Sequence, residues 1–492
     1  MDRRARRAQE EKRRGRSRNA RRAAQVRKQR MIALGGLVCL AVVVALMSPL
    51  LRSGGEARVD TPTATAVVIM PPSLPAQNPT VIATDPAVPT PDPSAEATPA
   101  SPPPAAPTPS PSARLEEDVS ISPSPGISSP SPSPTPALPV LRSATIRSIG
   151  DFVIHNPIFE SAFLKWDDRY DFAPMLQMLA PAIGNATLTV ANVDGVMRGE
   201  RKKYAGYPEF DTPPELIEAL LASGVDMLTL ANNHALDYFF DGLKATIANC
   251  EKYGMDYIGG ARNQEERDTP AIRDLNGIQV GFLNYTETVN RKELYSNKNA
   301  TVYGVIMLKD ANFRRDIAKL RNAGADVVVV YVHWGTEYVS SPDKNQRQYA
   351  QKIADAGADA IIGSHPHVIQ PAVWIDAPGN GTANGKTLCL YSLGNFLADK
   401  RSEVRDTGMV FEFTIEETAD GRYAVRSPKY ITTYIWRYKI RSSTYEYRVV
   451  NCGEWLDGER PEGMSERDHQ RLKNAWQNTR RLMGDVAEAI AG

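Results

Sequence analysis

Residues 143–450 predict a layered α/β fold, and three observations carry that expectation. Short apolar runs of strand length recur at 144–149, 187–193, 227–231, 280–285, 327–332, 360–362 and 388–392. Continuous apolar runs of this length suit strands buried on both faces. Segments with helical apolar spacing lie between them at 214–223, 241–253, 311–323 and 346–356. Strands alternating with helices build a mostly parallel sheet covered by helices. After Gly408 the pattern changes to two-residue alternation, at 409–416 and 437–449, which adds a β-rich, α+β end. About 310 residues are enough for one large domain with a sizeable core.

The chain before this domain has three parts. Residues 1–30 hold fourteen Lys/Arg against three Asp/Glu, a net of +11 in a chain of net +1, so residues 31–492 carry about −10. Residues 31–51 are 21 residues without a charge, roughly 31 Å long as a helix, which matches a bilayer core. No convincing small-residue cleavage site follows, so this run reads as an uncleaved transmembrane helix. The basic run then sets topology, with 1–30 cytoplasmic and everything after Leu51 outside. That reading argues against nucleic acid as a partner. Residues 52–142 are dominated by Pro, Ser, Thr and Ala and contain no aromatic residue. They read as a disordered linker or stalk that cannot form a packed core. Residues 451–492 read as a C-terminal extension with a polar helix over 463–490. Cys39 lies in the apolar run, and Cys250, Cys389 and Cys452 have neither disulfide nor metal spacing.

Chemistry concentrates where the apolar runs end. Five of the six histidines, His155, His234, His333, His365 and His367, sit at or just past such an end, while His469 falls in the terminal helix. Carboxyl ends of strands are where α/β sheets place ligands. Gly363-Ser364-His365-Pro366-His367 follows the run 360–362, and its two imidazoles, two residues apart, read as one edge of a metal site. An extended backbone there would point both rings one way. Gly150-Asp151 follows the first run, where an ordinary Asx turn is the competing account. In Asn192-Val193-Asp194-Gly195, alternation puts Asn192 and Asp194 on one face. Asn232-Asn233-His234-Ala235-Leu236-Asp237 leaves a buried run with polar groups that are costly to bury unpaired; an N-cap for the next helix would also use them. His333-Trp334-Gly335-Thr336-Glu337-Tyr338 ends the valine-rich run, and Asn395 follows the last one as a substrate-binding candidate. Carboxylates, an amide and imidazoles together suit one or two divalent ions such as Zn, Mn or Fe. A histidine outside the ligand set could protonate a leaving group, and Asp237 could hold the His234 imidazole in one tautomer.

These stretches, in this order and spacing, resemble the CapA domain of bacterial capsule-synthesis proteins over about residues 145–410. The resemblance implies a calcineurin-like metallophosphoesterase fold, a four-layer αββα sandwich, and a role in poly-γ-glutamate capsule synthesis or export. It implies Asp151, Asp194, Asn233, His333, His365 and His367 as metal ligands and His234 as general acid. Asn192, Asn232, Glu337 and Asn395 are then left for substrate. Two departures stand out. The family usually has Glu where this chain has Asp194, and Val153 stands where the phosphoesterase Asp-x-His pair would place histidine. Either one metal position is underligated or His155 substitutes. Three functions follow: a membrane-anchored protein acting on an anionic capsule polymer, together with other capsule-synthesis subunits; a general metal-dependent phosphoesterase of the envelope; or a non-catalytic polymer-binding subunit.

The topology has a direct test. Protease added to intact, wall-stripped cells should release a folded fragment beginning between roughly residues 55 and 140. Protection of 143–492 together with accessibility of 1–30 would reverse the orientation.

Overall fold

The computed structural model describes residues 140–488, apart from 202, 291–299, 380–384, 400, 401, 403 and 441–444. The expected membrane helix at 31–51 and nearly all of the expected linker at 52–142 lie outside the described residues. Among the described residues no helix is long and apolar enough to cross a membrane.

Two large sheets form among the described residues. The first has nine strands, with a main order of Tyr445–Asn451, Tyr423–Lys439, Thr407–Thr418, Val140–Val153, Leu188–Val193, Met227–Thr229 and Asp256–Ile258. Asn395–Ala398 and Ala487–Glu488 add to it beside Val140–Val153 and Tyr423–Lys439. The second runs Ile369–Asp376, Lys386–Leu393, Ala360–Ser364, Val327–His333, Ile278–Thr286, Ile272–Leu275. Each contains a parallel block of four strands.

Period-two geometry makes the layers. Val327, Val329 and Tyr331 enter a core shared with the first sheet, whereas Val328, Val330 and Val332 pack with Ile317, Leu320, Ala350 and Ile353 of the helices Phe313–Asn322 and Lys344–Asp355. In the first sheet, Ile146 and Val190 enter the shared core, while Ile149 and Ala191 join the residues of helices Glu215–Ser223 and Phe239–Tyr253. The sequence of layers is therefore helices, sheet, sheet, helices, and the central strands such as Val327–His333 and Leu188–Val193 bury both faces.

Close backbone approach fixes two glycines next to the strand ends. A Cβ on Gly150 would lie 2.3 Å from Gly394 O, because Asp151 N–H donates to that same carbonyl at 2.8 Å. The ladder shifts register at this point on both sides, between Ile149 and Asp151 and between Asp151 and Phe152. A bulge of this kind re-aims a side chain at the strand end. A Cβ on Gly363 would lie 2.0 Å from Tyr391 O and 2.6 Å from the Trp334 indole nitrogen.

The C-terminal segment is not a free polar helix. Glu466–Met483, capped by Ser465 accepting from Asp468 N–H, packs Leu472 and Ala475 with Tyr434, Trp436 and Val450. His469 is buried, its Nε2 2.7 Å from the Trp455 carbonyl. The alternation expected over 437–449 belongs to two antiparallel strands, Tyr423–Lys439 and Tyr445–Asn451. Leu472→Ala should therefore cost about 2–5 kcal/mol in equilibrium denaturation. An unchanged midpoint would show that this helix contributes nothing to the domain's core.

Candidate metal centre

Two carboxylates come first, because everything else in the site is arranged around them. Asp151 leaves its strand at the bulge, and Asp194 follows the neighbouring strand Leu188–Val193; both are completely buried. Asn192 lies between them. Its Nδ2 donates at 2.8 Å to Asp151 Oδ1 and at 2.8 Å to Asp194 Oδ1, and its Oδ1 accepts from Thr229 Oγ1 at 3.1 Å. One amide nitrogen thus uses both hydrogens on two carboxylates. The same-face placement of Asn192 and Asp194 is what the alternation predicts.

The second sheet brings the imidazoles. His333 ends Val327–His333 and is held by Ser364 Oγ, 2.9 Å from its Nδ1. Its Nε2 lies 2.9 Å from Asn233 Oδ1 and 3.0 Å from His365 Nδ1, so three ligand atoms from three strand ends converge. His367 Nδ1 is 3.2 Å from Asp151 Oδ2 but out of line for a hydrogen bond, and its Nε2 is 3.7 Å from Asp194 Oδ2. Two groups of ligand atoms result: Asp151, Asp194 and His333 in one, and Glu337, His365 and His367 in the other. Within each group the atoms lie no more than 4.8 Å apart. The structure thus gathers all six residues expected as ligands, and Glu337 with them.

The backbone holds this convergence under strain. His365 and His367 have φ of 98° and 56°, in the left-handed region that bulky residues avoid and functional sites tolerate. The expected extended segment is therefore a tight bend, and the ring centroids are 5.9 Å apart. Two contacts brace it: His365 N–H donates to Asp151 Oδ2 at 3.2 Å, and Pro366 O accepts from Tyr338 N–H at 2.7 Å.

The electrostatics ask for positive charge. Burial, then the neighbouring Asp151, pushes the Asp194 carboxyl up to about 7. Burial alone would depress His367, but the Asp151 and Asp194 carboxylates outweigh it and raise the imidazole to about 9. Burial and the adjacent His367 press His365 down to about 4, and burial holds His333 well below its ordinary value. Asp194 Oδ2 and His367 Nδ1 are buried without a hydrogen-bond partner among the described residues. Hard carboxylate oxygens, imidazole nitrogens and orphaned ligand atoms fit a divalent cation.

Beside this cluster stands His234. Its Nδ1 is 2.7 Å from Asp237 Oδ2, which also accepts from Phe210 N–H at 2.7 Å. The Phe210 ring meets His234 edge-on at 4.7 Å and His155 edge-on at 5.4 Å. Asn290 Nδ2 lies 3.2 Å from the His234 ring nitrogens, and Asn290 N–H donates to Asn233 O. His234, His367, Glu337 and Tyr338 face one small cavity.

Residues 145–400 match the family described as bacterial capsule synthesis protein PGA_cap. The chain belongs to that family. The PGA biosynthesis protein CapA of Bacillus subtilis (strain 168) is 34% identical over 216 residues, 44% of this chain and 53% of that protein. The capsule biosynthesis protein CapA of Bacillus anthracis is 28% identical over 276 residues, 54% of this chain and 62% of that protein. The chain thus spans a little over half the length of these curated relatives. Among solved structures, a calcineurin-like phosphoesterase from Bacillus subtilis has a TM-score of 0.34 at 19% identity, over 69% of this chain and 98% of that one. The Haemophilus influenzae NAD nucleotidase has a TM-score of 0.37 at 9% identity, over 70% of this chain and 64% of that one.

Within this PGA_cap domain the residues expected at substrate have protein partners of their own. Asn192 is committed to the two carboxylates, and Asn232 donates to Val193 O at 2.9 Å while accepting from His234 N–H at 3.0 Å. Glu337 brings a carboxylate oxygen within 4.8 Å of ligand atoms of His365 and His367. Asn395 is buried and donates to Arg405 O at 2.9 Å. Val153 lines the cavity with an apolar side chain. His155 Nδ1 lies 2.9 Å from Val153 O, and the ring lines the cavity outside the two ligand groups. Phe210, Asn290 and Ser364 carry no periodic signal that would have marked them.

Replacing the bridging amide tests this arrangement. Asn192→Leu should cost about 2–4 kcal/mol in the presence of chelator, since two buried carboxylates lose their shared donor. A loss below about 0.5 kcal/mol in chemical denaturation would show that the amide does not organise them.

Proposed function

We propose that this protein is a membrane-anchored, extracytoplasmic capsule-synthesis protein. It acts through a divalent-metal site on an anionic envelope polymer of the poly-γ-glutamate type. The observation that carries the reading is the meeting of Asp151, Asp194 and His333 with Glu337, His365 and His367, inside a domain of the capsule synthesis family. The names of the Bacillus relatives support the polymer assignment. The basic run before 31–51 supports the anchor and the outward orientation, and other capsule-synthesis subunits are the natural partners.

In this reading Asp151, Asp194, Asn233 and His333 would hold one ion, with His365, His367 and Glu337 holding a second or completing the first. A bound divalent cation supplies positive charge for an anionic substrate and an acidified water. The chain's own residues do the rest. Asn192 keeps the two carboxylates in register. Asp237 accepts from His234 Nδ1, which leaves Nε2 to deliver a proton to a leaving group at the cavity. Phe210 packs against that imidazole and limits its rotation.

The experiment is a substrate panel on the full-length chain with manganese, zinc or iron(II): γ-linked polyglutamate beside simple phosphate esters. The expected outcome is metal-dependent binding or cleavage of the polymer. Faster turnover of phosphate esters would assign the general phosphoesterase instead, and binding without cleavage would assign the non-catalytic subunit. His234→Ala should abolish cleavage and keep bound metal; loss of stoichiometric metal from the folded variant would make His234 a ligand.

A further inference from the structure

Arg405 packs on Tyr338, a residue that lines the same cavity. Its guanidinium carbon lies 3.6 Å from the Tyr338 ring centroid. Tyr338 lines the cavity, its ring 6.0 Å from that of His367. The side chain is half-buried and, among the described residues, makes no ion pair or side-chain hydrogen bond. Elsewhere in the domain, half-buried arginines have carboxylate partners, such as Arg147 with Glu412, Arg321 with Asp359 and Arg437 with Asp399. A guanidinium stacked on an aromatic face keeps its fork of donors open for a carboxylate.

The backbone of Arg405 is tied to the centre through Asn395. Asn395 Nδ2 donates to Arg405 O at 2.9 Å, and Asn395 pairs in register with Asp151. That fixes the amide's orientation and leaves Asn395 Oδ1 as an acceptor. This oxygen is buried, 99% with its residue, and has no hydrogen-bond partner among the described residues. Asn395 lines the cavity too, as does Tyr207, which is 70% exposed at its rim. A buried acceptor without a donor is costly unless a ligand satisfies it.

An anion alone would satisfy Arg405 and leave Asn395 Oδ1 unmet. A phosphate ester without N–H groups has the same shortfall. A chain that carries both a carboxylate and an amide N–H in each repeat satisfies both. We infer that Arg405 and Asn395 form a recognition subsite for an anionic polyamide, with Arg405 reading a carboxylate and Asn395 Oδ1 an amide N–H. The inference rests on the polymer reading above and names the groups that would select that polymer over a phosphate ester. Tyr207 and Tyr338 then flank the chain's methylene segments.

The test is binding of a fluorescently labelled γ-linked hexaglutamate to the full-length chain with Mn2+ present, measured by anisotropy. Arg405→Gln should weaken binding about tenfold and leave metal content and melting temperature unchanged. Arg405→Lys should recover part of the affinity, because it restores charge without the planar fork. A hexamer with its carboxylates converted to carboxamides should bind wild type and Arg405→Gln equally weakly. A hexamer with N-methylated amides should bind wild type more weakly than the parent, without any change in the protein. Tight hexaglutamate binding that is equal in wild type and Arg405→Gln overturns this subsite and leaves the polymer reading standing. Full affinity for the N-methylated hexamer overturns the assignment of Asn395. Wild type that carries metal but binds no hexamer overturns the polymer reading and this inference with it.

Discussion

Two buried carboxylates held by one amide are the constraint on which the site depends. Asp151 and Asp194 have no solvent to screen them, and Asn192 supplies only one hydrogen to each. The Asn192 amide and the His365 N–H on Asp151 are neutral donors and cannot fully offset desolvated carboxylates. The protein surrounds them with imidazoles, and against burial the Asp151 and Asp194 carboxylates raise that of His367. A cation is the simpler answer, and the orphaned Asp194 Oδ2 and His367 Nδ1 are where it would be felt.

The layers exist to bring these groups together. Asp151, Asp194 and Asn233 come from the first sheet's strand ends, and His333, His365 and His367 from the second's. The group Asp151, Asp194 and His333 draws on both sheets. The shared core of Ile146, Val190, Val329 and Ile362 fixes one sheet against the other, so packing far from the site sets the distances within it. The left-handed φ values at His365 and His367 show where this fit is tightest. That strain persists because the bend is braced from both sides, by Asp151 and by Tyr338.

Much of this was legible in the sequence, for a physical reason. Strands buried on both faces, such as Val327–His333, leave unbroken apolar runs, and polar residues directly after them have few bland explanations. The strand Ile369–Asp376 is half exposed along its length and leaves no such run. The long strand Tyr423–Lys439 has its outer half solvated, which obscured where it begins. Asn192 was placed on the correct face, but a periodicity cannot say whether an amide faces substrate or two carboxylates. Arg405, Phe210 and Asn290 arrive from loops, where spacing says nothing about what a side chain will meet. The terminal helix reads as polar, yet a helix rich in charge still buries one face, and His469 lies on it.

The central proposal is that the folded domain holds a divalent cation at the cluster of Asp151, Asp194 and His333. Metal analysis of the purified full-length chain, joined to calorimetric melting with and without EDTA, tests it most directly. The account predicts one or two divalent ions per chain and a melting temperature that falls on chelation. A ligand bound only by the folded state contributes about 4 kcal/mol when it is a thousandfold above its Kd. His367→Ala should carry less metal and lose part of that response. A wild-type chain that carries no metal and melts identically with and without chelator would contradict the account.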